Sequence, residues 1–455
     1  MKISFLGGQG TATGSLFLID VGGKKILVDC GLFQGEKYGT DLNREPFPFV
    51  PNEISHIFVT HAHLDHVGRI PKIVKEGFSG EIVSTAPTRD MAELILLDSY
   101  KILSKEALRE NLEPLYSEKD VFSTMPLWKT VRYHEKYFIE TNAGKVSLEY
   151  YDSGHILGSG IIVIEHDGKR LALTGDLGNT PSPLMHDTEV PEGIDYLVCE
   201  SVYGDRNHED YDERVALFKE AVLSTLKRKG VLMIPTFSIE RAQELLYFLD
   251  QMVVNGDLPR VPIFLDSPLA INITKVYQKY KSSLNSSAQD IIKEGNDFFN
   301  FEGLIKSISP DDSKAILHAP SPKIILAGSG MSNGGRILHH EKNYLPYHEN
   351  SLLLVGYQAV GTLGRLLQEG VKNVMIKGES IKVEARILQI HGFSAHKDSD
   401  HLLEWTMNVA EKGNLKKVYF VLGEPKSSMY LAQRVREHTG ISVSVPEKGE
   451  SFTLW

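Results

Sequence analysis

Three histidines and an aspartate lie within six consecutive residues of this chain. The segment reads His-Ala-His-Leu-Asp-His from His61 to His66, and it follows a short apolar strand predicted over His56–Thr60. Imidazole nitrogens and carboxylate oxygens are usual ligands of Zn²⁺ in proteins. In an extended loop His61 and His63 face the same way, while a turn at Asp65 directs the next pair elsewhere. The segment therefore predicts a zinc site of a metal-dependent hydrolase rather than a polar loop with incidental histidines.

Two later strand ends carry ligand-type residues that are compatible with the same site. His155 follows a strand predicted over Lys145–Tyr151, and Asp176 follows a strand predicted over Arg170–Thr174. Each residue taken alone is more typical of a turn, so it gains weight only beside the histidine segment. Ligands at strand ends along one edge of a sheet can converge on a single site. Asp29, at the end of another predicted strand, is predicted to orient a ligand without binding the metal itself.

The order of predicted elements indicates one domain interrupted by another. Strands with tight turns dominate the first part of the chain, with a helix predicted from Thr88 to about Asn111. From Val231 onward strands alternate with helical segments, which is typical of a parallel α/β sheet. After about Val374 the pattern returns to strands, one of them around His391–His396. The predicted ranges are 1–205 for the first part of the outer domain, 206–375 for the insertion and 376–455 for the C-terminal return.

Composition limits the classes of partner and compartment. The net charge is -10, so no overall basic field attracts nucleic acid, and any such binding needs a local patch. The Lys227–Lys229 run is one candidate, although a solvated helix face is the more ordinary interpretation. Two cysteines, Cys30 and Cys199, suggest no disulfide framework, which favours a reducing cytoplasmic setting. No apolar run reaches about 18 residues, so no membrane span is expected.

Further segments make the resemblance to a known family specific. Together with the histidine segment, Glu200 in Cys-Glu-Ser-Val-Tyr-Gly and His396 in Gly-Phe-Ser-Ala-His resemble motifs of the β-CASP nucleases of the metallo-β-lactamase superfamily. Pro235–Phe237, Arg241–Glu244 and Gly328–Arg336 resemble segments of the β-CASP insertion. The similarity covers nearly the whole chain, and it is strongest to short bacterial enzymes related to the endonuclease subunit of the cleavage and polyadenylation machinery. It implies a four-layer αβ/βα sandwich with an inserted parallel α/β domain.

The same resemblance implies roles for individual residues. It divides the metal ligands between two zinc ions: His61, His63 and His155 for the first, Asp65 and His66 for the second, and Asp176 between them. Asp65, Glu200 and His396 are implied as catalytic residues. Glu200 would orient His396, which would protonate the leaving oxygen while water activated by the metals attacks phosphorus.

Leu422 departs from the family pattern. RNA-cleaving members usually carry a histidine just before Gly-Glu in this motif, and that histidine completes the second zinc site; here the residues are Leu422, Gly423 and Glu424. A leucine cannot bind metal, and DNA-processing relatives often have an apolar residue there. Water can take the place of a missing ligand. The nearby His391 is interpreted as a hydrogen-bonded structural or surface histidine. Occupancy of the second site and preference for RNA over DNA are therefore left open.

The glycine-rich segment Gly328–Arg336 is a candidate phosphate site. Backbone N–H groups, Ser329 and the Arg336 guanidinium would contact phosphate. Without the family context, a glycine-rich turn before a helix is the simpler interpretation. The spacing does not match that of a P-loop. His339 and His340 would either contact substrate or lie on the polar face of the helix.

The leading functional hypothesis is a cytoplasmic zinc-dependent ribonuclease that hydrolyses single-stranded RNA during RNA processing or decay. Two alternatives rest on Leu422: a nuclease for DNA or a hydrolase of another phosphoester, and a nucleic-acid-binding protein with weak catalysis. The presence of six candidate metal ligands and of the proton donor His396 with Glu200 argues against the last of these. A homodimer is expected from the resemblance alone.

Overall fold

The computed structural model describes residues 1–35, 41–359 and 361–455. The chain forms two compact units. The first consists of Met1–Asn207 together with His396–Trp455, and the second of His208–Ala395. The second unit therefore begins near the start predicted for the insertion and runs 20 residues beyond the predicted end at 375.

The first unit contains a seven-stranded sheet in the order β22-β1-β2-β3-β4-β5-β6. Its strands are β1 (Lys2–Gly7), β2 (Leu16–Val21), β3 (Lys24–Val28), β4 (Ile54–Phe58), β5 (Glu81–Thr85), β6 (Trp128–Val131) and β22 (Ser451–Thr453). Strands β2 and β3 form a hairpin through Gly22 and Gly23, which have φ angles of 56° and 77°. Two consecutive residues with positive φ are what a type I′ turn requires, and glycine adopts them without steric cost.

A second seven-stranded sheet in this unit has the order β21-β20-β11-β10-β9-β8-β7. Its strands are β7 (Tyr137–Thr141), β8 (Gly144–Asp152), β9 (Gly160–His166), β10 (Lys169–Leu173), β11 (Tyr196–Glu200), β20 (Lys417–Val421) and β21 (Ser442–Ser444). Strand β9 is buried on both faces along almost its whole length. A strand with two apolar faces must be covered on both sides, as in the middle layers of a sandwich.

The two sheets of the first unit pack face to face. Phe5 and Phe58 of the first sheet share one buried cluster with Ile162 and Tyr419 of the second. Alternate residues of the second sheet, such as Ile161, point the other way. There they pack on two C-terminal helices. Each fully buried side chain of this size contributes about 1.5–3 kcal/mol to stability.

Helices cover the outer faces of both sheets. The helices of this unit are α1 (Leu64–Val67), α2 (Ile70–Lys75), α3 (Ala86–Glu110), α4 (Glu118–Thr124), α12 (Ser399–Glu411) and α13 (Pro425–Thr439). Helix α3 packs on β5 and β6, and helices α12 and α13 pack on the second sheet. The layers thus run helix, sheet, sheet, helix.

The second unit is built on a six-stranded parallel sheet in the order β14-β13-β15-β12-β16-β19. The strands are β12 (Val231–Pro235), β13 (Ile263–Asp266), β14 (Leu304–Lys306), β15 (Lys323–Ala327), β16 (Ser351–Val355) and β19 (Arg386–Ile390), and β17 (Asn373–Ile376) and β18 (Glu379–Lys382) form a separate hairpin. Strands β12, β15 and β16 are buried at every residue. Continuous apolar runs of this kind are expected where helices cover both faces of a parallel sheet.

Helices alternate with the strands of the second unit. They are α5 (Tyr211–Lys227), α6 (Arg241–Val254), α7 (Pro268–Lys279), α8 (Ser286–Lys293), α9 (Pro310–Ala315), α10 (Ile337–Tyr344) and α11 (Leu363–Gln368). Short 3₁₀ turns in the two units span Pro51–Glu53, Met125–Leu127, Lys281–Ser283 and Ile316–His318. The fold predicted from the resemblance, a four-layer αβ/βα sandwich with an inserted parallel α/β domain, is confirmed.

Some predicted elements were wrong in detail. The strand placed around His391–His396 ends earlier, at Ile390, because β19 pairs in parallel with β16 and the residues beyond it form a turn. The C-terminal part of the chain was predicted to return to strands, and it also contains the two helices α12 and α13, which were not predicted. None of the helices described here is both long and apolar enough to cross a membrane. Both cysteines are free and buried.

Candidate metal centre

Four strand ends of the first unit bring ligand-type side chains together. Asp29 follows β3, and the loop after the neighbouring parallel strand β4 carries His61 and His63. From the other sheet, His155 follows β8 and Asp176 follows β10. Since β8 and β10 are both antiparallel to β9, they run in the same direction and end at the same edge. The sandwich therefore presents residues of both sheets to one point.

The loops at this edge approach each other so closely that no side chain fits between them. A Cβ atom at Gly31 would lie 1.5 Å from the carbonyl oxygen of Asp65, and one at Gly178 would lie 1.9 Å from that of Gly154. Backbone hydrogen bonds hold the same contacts, since Gly178 N–H donates to the Ser153 carbonyl at 2.8 Å. The glycines let the ligand-bearing loops converge without a gap.

The structure brings together four of the predicted metal ligands. One nitrogen or oxygen from each of His61, His63, His155 and Asp176 lies within 4.8 Å of all the others. His63 Nδ1 is 3.1 Å from Nε2 of His61 and 3.2 Å from Nε2 of His155. Asp176 Oδ2 is 3.3 Å from His61 Nε2 and 3.5 Å from His155 Nε2.

These separations fit a tetrahedral zinc ion. Zinc–nitrogen and zinc–oxygen bonds of about 2.0–2.1 Å place neighbouring ligand atoms of a tetrahedron about 3.3–3.4 Å apart. Three imidazole nitrogens that face one another at hydrogen-bond distance need a shared cation or proton between them. Three histidines and one carboxylate are a ligand set that zinc prefers. The residues present therefore fit the metal.

The electrostatics of the histidines also suit metal binding. Burial lowers the pKa of His61, and it lowers the pKa values of His63 and His155 well below their usual range. A neutral imidazole is the form that binds metal. Burial alone would raise the pKa of Asp176, but His66, His396 and His61 hold it well below its usual range, so the carboxylate is ionised.

Asp65 and His66 lie beside this group but outside its tightest cluster. His66 Nε2 is 3.5 Å from Asp176 Oδ2 and 4.0 Å from Asp65 Oδ2. This Nε2 is buried and has no hydrogen-bond partner among the described residues. Burial opposes a charge on His66, but the carboxylates of Asp176 and Asp29 outweigh it and hold its pKa well above the usual range. An orphaned ring nitrogen between two carboxylates is the environment of a cation site.

Asp29 supports the histidines from behind. Its Oδ2 accepts a hydrogen bond from Ser15 Oγ at 2.9 Å and lies 2.7 Å from His66 Nδ1. Its Oδ1 accepts from the Thr60 N–H at 2.8 Å. A carboxylate on one ring nitrogen fixes the ring so that the other nitrogen faces the metal. The orienting role predicted for Asp29 matches this geometry but stays a prediction.

Thr60 was not singled out from the sequence. Its Oγ1 donates to Asp29 Oδ2 at 2.9 Å and lies 3.1 Å from His61 Nδ1 and 3.2 Å from His66 Nδ1. One hydroxyl thus links the carboxylate to two predicted ligands. The only sequence signal was its position directly before His61.

Glu200 and His396 form a pair at the same carboxylate. Glu200, the last residue of β11, is fully buried, and its Oε1 accepts from the Leu177 N–H at 2.7 Å. His396 Nδ1 lies 3.2 Å from that same oxygen and 4.0 Å from Asp176 Oδ2. Burial opposes the charge on His396, but Glu200 and Asp176 raise its pKa to about 9, so the ring carries a proton at neutral pH.

Leu422 occupies an apolar environment. Its side chain is buried in the cluster between the two sheets and packs against Gly8. Its φ of 53° is unusual for leucine, and its N–H donates to the Gly8 carbonyl at 2.6 Å. The backbone at this position thus has the left-handed turn of a loop, while the side chain contributes to the core.

The remaining predicted residues lie in the second unit. The Arg336 guanidinium donates to Asp266 Oδ1 at 2.7 Å and to the carbonyls of Ser307 and Ile308. Ser329 Oγ accepts from the Asn333 N–H at 3.2 Å. The predicted contacts of Ser329 and Arg336 with phosphate stay predictions.

The histidines whose roles were left open also lie in the second unit. His340 is buried against Asp266, with its Nε2 2.7 Å from Oδ2, and His339 is half-buried. His391 is exposed, and its N–H donates to Glu209 Oε1.

Comparisons with known proteins agree with this geometry. Three sequence profiles match the chain: a metallo-beta-lactamase superfamily domain over residues 18–179, a Beta-Casp domain over 242–367 and a Zn-dependent metallo-hydrolase RNA specificity domain over 380–446. A crystal structure of a protein of unknown function from Enterococcus faecalis covers 100% of this chain and 99% of its own, with a TM-score of 0.56 at 12% identity, and so shows the fold alone.

Relatives of the chain extend over its full length. Ribonuclease TTHA0252 of Thermus thermophilus is 36% identical over 455 residues, which are 100% of both chains. Transcription termination factor FttA of Methanosarcina mazei is 30% identical over 96% of this chain and 69% of its own. The FttA protein of Pyrococcus horikoshii is 31% identical over 100% of this chain and 71% of its own.

The sandwich with buried histidines and carboxylates at one edge defines a metal-dependent hydrolase of the metallo-β-lactamase type. The inserted parallel domain and the full-length relatives narrow this class. The chain belongs to the β-CASP family of the metallo-β-lactamase superfamily.

Asp29→Ala is expected to weaken metal binding about 10- to 100-fold, the usual effect of removing a carboxylate that orients a histidine ligand. The measurement is metal affinity by competition with a chelator, followed by metal content after dialysis. Asp20→Ala is the matched control, because Asp20 is exposed on β2. Unchanged affinity in the Asp29 variant would show that this carboxylate serves folding alone.

Proposed function

We propose that this chain is a zinc-dependent ribonuclease that hydrolyses phosphodiester bonds of single-stranded RNA. The observation that carries the proposal is the junction at Asp176, whose carboxylate contacts both the histidine cluster and the Glu200–His396 pair. A metal site next to a protonated histidine can supply the activated water and the general acid that phosphodiester hydrolysis requires. The ribonuclease relative of equal length and the RNA specificity profile at residues 380–446 support RNA rather than DNA.

The first zinc ion would be held by His61, His63, His155 and Asp176, whose donor atoms already have tetrahedral spacing. When bound, zinc supplies Lewis-acid stabilisation of phosphoryl charge and activates water for attack. His61, His155 and Asp176 are buried and His63 is half-buried, so the charges of this group are poorly screened by bulk water and interact more strongly with the reacting group. Asp176 carries the negative charge that balances the ion.

His396 would act as general acid toward the leaving oxygen. Glu200 keeps the Nδ1 side of the ring occupied, so the opposite nitrogen is the one that can deliver a proton. The glutamate is itself fixed by the Leu177 and Val202 N–H groups. Its position is therefore set by the backbone, and the direction of the imidazole is set by the glutamate. Asp65, beside the cluster, is a further catalytic candidate that would help position the attacking water.

A second zinc ion is proposed at Asp65, His66 and Asp176. The unpartnered Nε2 of His66 supports this assignment, and so do the two carboxylate oxygens within 4.0 Å of it. Leu422 contributes no donor atom, so this site would have one protein ligand fewer than the first and hold its ion more weakly.

The wider biological setting is also a proposal. A role in RNA processing or decay in the cytoplasm is consistent with a nuclease without disulfides. A homodimer stays an expectation from the family.

The zinc-loaded protein is expected to cut single-stranded RNA, and His63→Ala is expected to lose at least about 100-fold in rate because one metal ligand is removed. The measurement uses end-labelled RNA and DNA strands of the same sequence, with and without chelator. Product sizes report whether cutting is internal or from an end.

His391→Ala is the matched control for the cleavage assay, since this histidine is exposed and lies outside the metal cluster. Its activity should equal that of the parent chain. Failure of the parent to cut RNA with zinc present, with His63→Ala indistinguishable from it, would end the proposal. A clear preference for DNA would instead support the alternative that the chain is a DNA nuclease.

His396→Ala is expected to slow RNA cleavage about 100- to 10,000-fold, the range for a general acid. The loss should shrink on a substrate in which sulfur replaces the leaving oxygen, because a thiolate leaves without being protonated. Single-turnover assays compare RNA with sulfur at the 3′-bridging position and RNA with sulfur at the 5′-bridging position of the scissile phosphate. His401→Ala, at a half-buried histidine of α12 that pairs with Asp398, serves as control. An equal loss on the oxygen and sulfur substrates would contradict the general-acid role.

Zinc titration is expected to give two ions per chain, the second bound more weakly than the first. Asp65→Asn should reduce the count to one because it weakens a ligand of the second site only. Isothermal titration and metal analysis of the dialysed protein measure both. A parent chain that binds a single ion at saturating zinc would contradict the second site and leave the first intact.

A further inference from the structure

The parallel sheet of the second unit reverses its winding between β12 and β15. From β12 the chain passes through α6 to β13, two positions toward one edge. From β15 it passes through α10 to β16, two positions toward the other edge. Neighbouring strands whose connections leave in opposite directions create a crevice at their carboxyl ends, and ligands of open α/β sheets bind there.

Phe237 stands at this crevice. It lies two residues past the end of β12, and 41% of its surface is exposed, although the five strand residues and Thr236 before it are all buried. The Thr236 N–H donates to the Ala327 carbonyl at 2.9 Å, so pairing with β15 continues to the residue directly before Phe237. The backbone that carries the ring therefore leaves the sheet directly after its last pairing hydrogen bond, at Thr236.

One side of the Phe237 ring rests on a glycine. A Cβ atom at Gly330 would lie 2.7 Å from both Cδ2 and Cε2 of the ring, so any other residue would push the ring away. The glycine backbone is itself held, because the Gly330 carbonyl accepts from Gln358 Nε2 at 3.1 Å and the Met331 carbonyl accepts from the Gly364 N–H. The ring therefore has a fixed support beneath it.

The one charged side chain of the neighbouring loop Gly328–Arg336 is already engaged. The Arg336 guanidinium makes three hydrogen bonds within the unit, to Asp266, Ser307 and Ile308. Isolated exposed apolar residues are ordinary on protein surfaces and need no explanation. Phe237 differs because it combines exposure with a rigid glycine support at the switch point of a parallel sheet.

We infer that the Phe237 ring is a stacking platform for a nucleobase of the single-stranded RNA substrate. This inference rests on the proposed function and names a contact that the metal centre does not provide. Proteins that hold single strands without reading sequence place aromatic rings under the bases, because every base has a flat π face. The net charge of -10 gives the chain no overall basic field for gripping phosphates, which makes base stacking the more valuable contact.

The test measures RNA binding by the full chain in a His63→Ala background, where substrate is not consumed. Phe237→Leu keeps an apolar side chain but removes the π face, and it is expected to weaken binding about 5- to 100-fold. Phe237→Trp should retain parental affinity. Phe138→Leu, at a phenylalanine on β7 that is 57% exposed, is the matched control and should change nothing. In the active background the Phe237→Leu loss should appear in KM with kcat nearly unchanged.

A spectroscopic measurement separates stacking from a structural effect. RNA strands that carry 2-aminopurine at one position at a time should show a position whose fluorescence is quenched on binding and recovers with Phe237→Leu. With an abasic nucleotide at that position, the Leu variant should bind as well as its parent.

Three results would overturn the inference: unchanged affinity of Phe237→Leu, loss of affinity in Phe237→Trp as large as in Leu, or the same Leu penalty on the abasic strand. In each case RNA would still be bound by the His63→Ala chain. Absence of RNA binding by that chain, together with no cleavage by the parent, would instead overturn the proposed function on which the inference rests.

Discussion

The buried carboxylate of Asp176 is the contact on which the rest of the site depends. Its Oδ2 lies within 3.5 Å of ring nitrogens of His61, His66 and His155, and within 4.0 Å of His396. These rings come from both sheets and from the C-terminal return of the chain. An ionised carboxylate that is 4% exposed is costly unless positive charge surrounds it. The buried carboxylate of Asp176 is therefore stabilised by the neighbouring rings of His66 and His396, whose pKa values are raised in turn.

Asp176 lies between two groups of histidines whose pKa values differ. On one side of Asp176, burial lowers the pKa values of His61, His63 and His155 and so favours the neutral, metal-binding form of each ring. On the other side His396 keeps its proton, because Glu200 adds a second negative charge and raises the pKa to about 9. Histidines in one cluster thus differ in protonation, and the difference follows from the number of carboxylates that each ring contacts. That division is what a hydrolase needs if it is to bind metal and deliver a proton in the same place.

Much of the site could be predicted because its ligands are dense in sequence or lie at strand ends. The spacing from His61 to His66 alone predicted a zinc site. His155 and Asp176 were assigned to the same site only through the family resemblance. Thr60 was not predicted, because a threonine before a histidine is not a distinctive pattern. Only the structure shows that its hydroxyl lies 2.9 Å from Asp29 Oδ2. The C-terminal helices were not predicted, although Leu402, Trp405 and Val409 recur at helical spacing and pack on the second sheet. The second unit extends to Ala395 because β19 pairs with β16, and local sequence patterns do not reveal a pairing between strands this far apart in the chain.

Leu422 shows how a single position links metal chemistry to packing. The family resemblance implies a metal-binding histidine at this position in RNA-cleaving members, and the φ of 53° observed here is the backbone conformation of a turn rather than of a strand. In this chain the side chain packs into the cluster between the sheets and against Gly8. The leucine therefore exchanges a ligand for buried apolar surface, worth about 1.5–3 kcal/mol. In the proposed second site, the protein donors are therefore His66 Nε2 and the carboxylates of Asp65 and Asp176 alone. The first site, with four donors at tetrahedral spacing, does not depend on Leu422.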